Sequence, residues 1–131
     1  MSVNCFLIPF QPDKWETTRS DLNIVPSELE SAILVKWPDT TFYPTDDHTD
    51  EPLLWRFNHK GSPGRLMNLL CDNQIVSLGI DAYLFEFMHW YRSFIPDKYP
   101  IYFTCACYHE SHYLQIFEST KESDLEQYFS R

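Results

Sequence analysis

Glycine is scarce in this 131-residue chain, which has only Gly61, Gly64 and Gly79. These three residues form neither a G-x-G-x-x-G nor a G-x-x-x-x-G-K-[ST] pattern, so the usual glycine-rich phosphate cradles are excluded. Long apolar runs are missing too, because no stretch approaches the roughly 18 residues of a membrane span. Residues 1–12 also lack the basic start and the apolar stretch of a signal peptide. We therefore expect no membrane partner and predict a cytoplasmic protein.

Basic residues are also few compared with acidic residues. Ten Lys and Arg residues stand against 19 Asp and Glu residues, which gives a formal net charge of −9. Such a surface repels nucleic-acid phosphates and anionic membranes, and it suits a basic protein partner better. Residues 39–51 contain five acids and no Lys or Arg. We expect this acidic segment to be a docking surface, although solubility alone is the simpler explanation of the charge.

Apolar content indicates a folded chain. Hydrophobic residues make up 44% and aromatic residues 17% of the sequence, too large a share for a disordered tail. The length is that of one ordinary domain, which is large enough to bury a core without metals or disulfides. We predict a single compact domain over residues 1–131, with reduced thiols and no cofactor.

Strand patterns recur along most of the chain. They cover residues 5–9, 40–43, 53–59, 65–70, 74–78, 101–108 and 112–117. The three middle runs predict an antiparallel meander and the last two a C-terminal hairpin, in a sheet of about five to six strands. The first run ends at Pro9, which is typical of an edge strand. An exposed edge there would also allow two copies to pair as a homodimer.

Helical spacing of apolar residues appears in two to three places. Residues 27–37 form an amphipathic pattern, and Ser27 with Glu30 has the spacing of a capping box. Residues 82–94 are apolar over so much of the helix circumference that we expect burial between other elements. A terminal helix begins at Ser119 or Thr120. Strands in runs between helices predict an α+β fold, with the helices covering one face of a mainly antiparallel sheet.

The strongest metal pattern is Cys105-x-Cys107-x-His109-x-x-His112. Period two places the first three of these residues on one face of the predicted strand, and all four are potential zinc ligands. The spacing is not that of a C-x-x-C knuckle, and the same face carries core residues. Cysteine also packs well as a small hydrophobe, so core packing is favoured and no metal site is predicted. Apolar surroundings should raise the thiol pKa, and cysteines two apart in a strand seldom meet disulfide geometry.

The leading hypothesis is a non-enzymatic protein-binding module, in the manner of an inhibitor, an immunity protein or an accessory regulator of a basic partner. Trp and Arg dominate interface hot spots, so a Trp-Arg pair close to the acidic segment is the expected anchor. The predicted contact residues are Asp46, Asp47, Asp50, Glu51, Trp55 and Arg56. Two alternatives stay open: a small-molecule or metal-binding domain at the 105–112 hairpin, and an enzyme whose catalytic residues are dispersed along the chain.

Overall fold

The computed structural model describes residues 4–14, 20–40, 54–58, 66–71, 74–79, 84–109 and 111–130. The α+β class is confirmed, with an antiparallel sheet and helices packed against it. The strands are β1 (Asn4–Ile8), β2 (Leu54–Asn58), β3 (Leu66–Cys71), β4 (Val76–Gly79), β5 (Tyr102–Cys105) and β6 (Tyr113–Gln115). The helices are α1 (Pro26–Lys36), α2 (Leu84–Phe94) and α3 (Glu122–Phe129), and a short 3-10 turn lies at Pro12–Lys14. The strand pattern at 40–43 lies outside the described residues except for Thr40.

The strands of the described sheet are ordered β2-β3-β4-β1-β5-β6, and every neighbouring pair is antiparallel. The chain segments of the predicted meander follow one another at one end of this order, and the hairpin β5–β6 forms the other end. The first strand lies between them. Leu7 pairs with Val76 on one side and with Phe103 on the other.

The prediction that residues 5–9 form an edge strand is therefore wrong. β1 has a paired neighbour on each side, so it offers no free edge to a second copy. Pro9 suggested an edge because proline cannot donate to a ladder. It lies one residue beyond Ile8, where the strand ends, so it interrupts no ladder hydrogen bond.

Helix α1 begins differently from the predicted capping box. Its N-cap is Val25, which has extended backbone and no side-chain cap, while Ser27 already lies inside the helix. Pro26 occupies the start of the helix, where its fixed φ is favourable and its missing N–H costs no hydrogen bond. The apolar face is as expected, because Leu29 and Ile33 are fully buried.

Helix α3 begins later than Ser119 or Thr120. The hydroxyl of Thr120 accepts a hydrogen bond from the backbone N–H of Phe117 at 2.8 Å and so closes the turn before the helix. The helix starts at Glu122, and the Asp124 carboxylate accepts from the Lys121 N–H at 2.8 Å. That bond satisfies one backbone donor at the helix start, which has no partner within the helix.

One apolar cluster joins the helices to a single face of the sheet. The sheet contributes Cys5, Leu7, Val76, Leu78, Phe103 and Cys105, and α1, α2 and α3 contribute buried residues to the same cluster. Trp37, just after α1, stacks on Phe87 of α2 at a centroid distance of 5.9 Å. Among the described residues, no helix combines the length and apolarity needed to cross a bilayer.

Candidate functional site

The predicted partner contacts fall in two parts of the chain. Asp46, Asp47, Asp50 and Glu51 lie outside the described residues. Trp55 and Arg56 lie in β2, the last strand at one end of the described sheet. Their backbones pair with β3, Trp55 opposite Leu69 and Arg56 opposite Asn68.

The four candidate metal ligands of the sequence, for which core packing was favoured, do not share one face of one strand. β5 ends at Cys105, and the backbone N–H of Tyr108 donates to the Cys105 carbonyl at 3.0 Å, which closes a turn. Cys107 is exposed in this turn, and His109 is exposed after it. The alternating pattern of the sequence extends through Cys107, but the structure has a turn at that point. The expectation that period two aligns Cys105, Cys107 and His109 is therefore wrong.

The two histidines of the hairpin form hydrogen bonds with other residues of the fold. Nδ1 of His109 accepts from the Ser111 N–H at 3.1 Å and lies 2.8 Å from the Ser111 hydroxyl. Nε2 of His112 donates to the Tyr128 carbonyl at 2.8 Å, and its ring stacks on the Tyr128 ring at 4.2 Å. Within the part of the chain that the structure describes, no group of three or more His, Cys, Asp or Glu side chains is arranged to hold a metal ion.

Three thiols meet at the end of β5, and we call them the thiol cluster: Cys5, Cys105 and Cys107. Cys5 lies directly opposite Cys105 across the β1–β5 pair, and both are buried. The Sγ atoms of Cys105 and Cys107 are 2.9 Å apart. Burial, followed by the hydrogen bond with Cys105, raises the pKa of the Cys5 thiol far above its ordinary value. The Cys107 pKa is also raised, first by its hydrogen bond with Cys105.

The hairpin is joined to α3 through tyrosine hydroxyl groups, and we call this region the Tyr128 junction. The Cys105 N–H donates to the Tyr128 hydroxyl at 3.0 Å, and that hydroxyl donates to the His112 carbonyl at 3.1 Å. The Tyr108 hydroxyl donates to the Phe129 carbonyl at 3.1 Å. Burial raises the pKa of Tyr128, so its hydroxyl keeps its proton and its donor role. These bonds fix the position of the turn that carries Cys107.

A groove of about 590 Å³ lies beside α2, on residues that were not among the predicted contacts. Its walls come from α2, the end of α1 and the start of α3. It is lined by Lys36, Phe85, Glu86, His89, Trp90, Ser93, Thr120, Lys121 and Glu122. His89 is exposed, and its Nε2 donates to the Glu118 carbonyl at 3.3 Å. The groove therefore combines aromatic rings with charged groups of both signs.

The sequence carried a signal for the groove but not for the thiol cluster. Phe85 and Trp90 make the apolar arc of α2 wider than one buried face needs, and both remain partly accessible. Cys5 and Cys105 are a hundred positions apart, and only the strand register brings them together. The partners of the Tyr128 hydroxyl, Cys105 and His112, are 23 and 16 positions away, and no local pattern indicates them.

No protein-family model, curated protein or solved structure matches this chain.

Proposed function

We propose that this protein is a non-enzymatic protein-binding module that acts on a basic partner as an inhibitor, an immunity protein or an accessory regulator. The observation that carries the proposal is the net charge of −9, together with an acidic segment at 39–51 that has no Lys or Arg. Complementary potentials speed the encounter of two proteins and disfavour partners of the wrong charge.

One of the ten basic side chains is used inside the fold. Only 7% of Arg92 is exposed, and its guanidinium donates to the Ile95 and Pro96 carbonyls at 3.1 and 3.0 Å. These carbonyls follow the C-terminal end of α2, where backbone carbonyls have no partner within the helix. The charge of Arg92 still counts toward the net charge of −9, but its side chain offers a partner almost no contact surface.

The position of β2 supports a contact surface next to the acidic segment. The segment ends at Glu51, and β2 begins three residues later at Leu54, with β3 as its paired neighbour in the described sheet. A terminal strand presents backbone groups to which a partner can add, while side chains supply specificity. The proposed contacts are Asp46, Asp47, Asp50 and Glu51 for charge, with Trp55 and Arg56 as the anchor.

A cytoplasmic location is part of the same proposal. Cys5, Cys105 and Cys107 are free thiols in the structure, as expected in a reducing compartment. Fractionation of the source cells, with the tagged protein followed by immunoblot, would test this location directly.

The experiment compares two variants with the same change in net charge. One replaces Asp46, Asp47, Asp50 and Glu51 with their amides. The control replaces four exposed acids elsewhere with theirs: Asp21, Asp97, Glu118 and Glu126. Each protein is used to capture partners from the source lysate, and the captured proteins are identified by mass spectrometry.

The recovered partner is then purified and titrated calorimetrically. We expect one basic protein, bound at least roughly tenfold more weakly by the segment variant and within about threefold of wild type by the control, since close charge pairs dominate such differences. Equal losses in both variants would remove the acidic segment from the interface. A bound protein of acidic character would contradict the proposed electrostatic complementarity.

The groove beside α2 favours a second candidate function, binding of a small amphipathic molecule. Its volume of about 590 Å³ lies within the usual range for ligand pockets, and its lining combines aromatic rings with two lysines and two glutamates: Phe85, Trp90, Lys36, Lys121, Glu86 and Glu122. This candidate site is separate from the 105–112 hairpin. Equilibrium dialysis with an anilinonaphthalene sulfonate probe tests it, with Lys121→Gln as the variant and Lys98→Gln, which is also exposed, as the control. Loss of binding confined to Lys121→Gln supports the groove, and equal binding by both variants contradicts it.

A further inference from the structure

The turn after β5 places two sulfur atoms beside each other with unequal access to solvent. Cys107 is exposed, Cys105 is 1% exposed, and their Sγ atoms lie 2.9 Å apart. The exposed Cys107 thiol can attack an incoming molecule. The buried Cys105 thiol lies next to the Cys107 sulfur, so it can displace a group bonded to that sulfur. This is the arrangement of an attacking and a resolving cysteine.

The turn also changes the geometry for which a disulfide between cysteines two residues apart was not expected. In an extended strand such residues lie about 6.6 Å apart at Cα, close to the upper end of the usual disulfide window of about 4.4–6.8 Å. Here the hydrogen bond from the Tyr108 N–H to the Cys105 carbonyl closes the chain on itself at this point. The strand ends at Cys105, so Cys107 is free of the alternation that would hold its side chain parallel to that of Cys105.

We propose that Cys105 and Cys107 form a reversible dithiol–disulfide site, which undergoes exchange with small-molecule or protein disulfides. The Cys107 thiolate attacks one sulfur of R–S–S–R, forms Cys107–S–S–R and releases R–S⁻, which takes up a proton. The Cys105 thiol loses its proton and attacks the Cys107 sulfur, and the second R–S⁻ leaves. The two protein thiols lose two electrons and two protons, and the disulfide is reduced to two R–SH.

Cys5 is excluded as the attacking thiol although it pairs with Cys105. It is fully buried, and burial keeps it protonated by raising its pKa. Cys5 therefore presents no exposed sulfur to an oxidant. Among the described residues, the titratable groups that interact with this pair are Cys5 from β1 and the Tyr128 hydroxyl from α3.

The bond should be easily reduced. A disulfide that closes a loop of one intervening residue restricts the unfolded chain far less than a long loop does, so it adds little stability. Exposed or strained disulfides are also the labile ones. The raised pKa of Cys107 slows its attack at neutral pH, since the thiolate is the nucleophile, and the assay is best run at about pH 8.5.

The test equilibrates the full-length chain with graded ratios of oxidised to reduced glutathione. The reactions are quenched with an alkylating agent, and intact mass and peptide maps are recorded. In wild type, the peptide that contains Cys105 and Cys107 should lose two hydrogens and carry one bond between these residues, and any adduct on Cys71 is mapped separately. Cys105→Ser should instead accumulate a stable glutathione adduct on Cys107. Cys107→Ser should react at least roughly tenfold more slowly, because the remaining cluster thiols are buried.

Cys5→Ser is the matched control, since it alters the thiol cluster but leaves the proposed pair intact, and it should behave as wild type. Circular dichroism checks that each variant folds, and Cys105→Ala replaces Cys105→Ser if the serine unfolds the chain. A stable adduct on wild-type Cys107, a bond mapped to Cys5, or Cys105 and Cys107 both still reduced at the most oxidising ratio would overturn the proposal.

Discussion

The two ends of the described core are held together in different ways. Where α1 meets α2, the contacts are between rings and aliphatic side chains: Trp37 stacks on Phe87 and meets the edge of Trp90 at 5.3 Å. At the Tyr128 junction, aromatic rings also pack, but their hydroxyl and imidazole groups bind backbone atoms of the neighbouring element. Apolar contacts have no directional requirement, whereas hydrogen bonds fix a geometry.

Only the Tyr128 junction positions groups that the proposed thiol chemistry uses. The junction aligns the turn that carries Cys107, so the two proposed redox sulfurs depend on hydrogen bonds that hold the turn in place. The α1–α2 end supplies stability through buried area instead. Substitutions at the two ends should therefore reduce the free energy of unfolding by different amounts. The loss should depend on filled volume at the α1–α2 end and on hydrogen-bonding groups at the Tyr128 junction.

Removing the central ring of the apolar end should have the largest effect. Phe87→Ala takes away a side chain that is 1% exposed and leaves a cavity between the helices and the sheet. We expect a loss of about 3–5 kcal/mol in the free energy of unfolding, measured by urea titration. Met88→Leu nearby keeps its volume and should cost less than about 1.5 kcal/mol. Similar losses for the two substitutions would show that this end does not depend on filled volume.

Removing one hydroxyl group at the polar end should cost less but should be more specific. Tyr128→Phe keeps the ring and deprives the buried Cys105 N–H of its acceptor. The expected loss is about 1–3 kcal/mol, because a buried donor is left unsatisfied. Tyr108→Phe, whose hydroxyl binds a more accessible carbonyl, should cost about 0.5–1.5 kcal/mol.

An unchanged stability in Tyr128→Phe would contradict the role of the junction. Amide hydrogen exchange provides a second readout, because the Cys105 amide should lose protection in this variant and keep it in Tyr108→Phe.

Alkaline pH should destabilise the polar end gradually. The pKa values of Cys5 and Tyr128 are both raised in the fold, in each case mainly by burial, so the unfolded chain releases these protons first. Stability is then complete below the unfolded cysteine pKa of about 8.5 and falls as pH rises, at up to about 1.4 kcal/mol per pH unit for each group.

Urea titrations between about pH 7 and pH 11 measure this fall. Cys5→Ala should lose less stability than wild type between about pH 8.5 and about pH 10, which are the unfolded pKa values of cysteine and tyrosine. A variant curve that follows wild type throughout would show that Cys5 does not contribute to the alkaline loss.

The sequence predicted elements whose cause is local. The helix expected at 82–94 is found as Leu84–Phe94, because its apolar residues recur every three to four positions and Pro96 prevents its continuation. The wrong expectations depended on distant partners. Pro9 suggested an edge strand, but the neighbours of β1 come from segments about 70 and 100 residues away.

The site was harder to predict for the same reason. Cys105 and Cys107 look like alternate positions of one strand until the turn at Tyr108 is known. The acceptor of the Cys105 N–H is supplied by α3, which no local pattern indicates. Charge, in contrast, is counted directly from the sequence, and the proposed partner preference depends on it.

The central functional claim is that the acidic segment at 39–51 attracts a basic protein, and the salt dependence of binding tests it most directly. Once the partner is purified, its Kd is measured with wild type and with the segment variant at about 50 mM and about 300 mM salt, which shortens the screening length more than twofold. Wild type should lose at least tenfold in affinity at the higher salt while the segment variant changes far less, so that the two Kd values converge. Parallel salt dependence in the two proteins would contradict it.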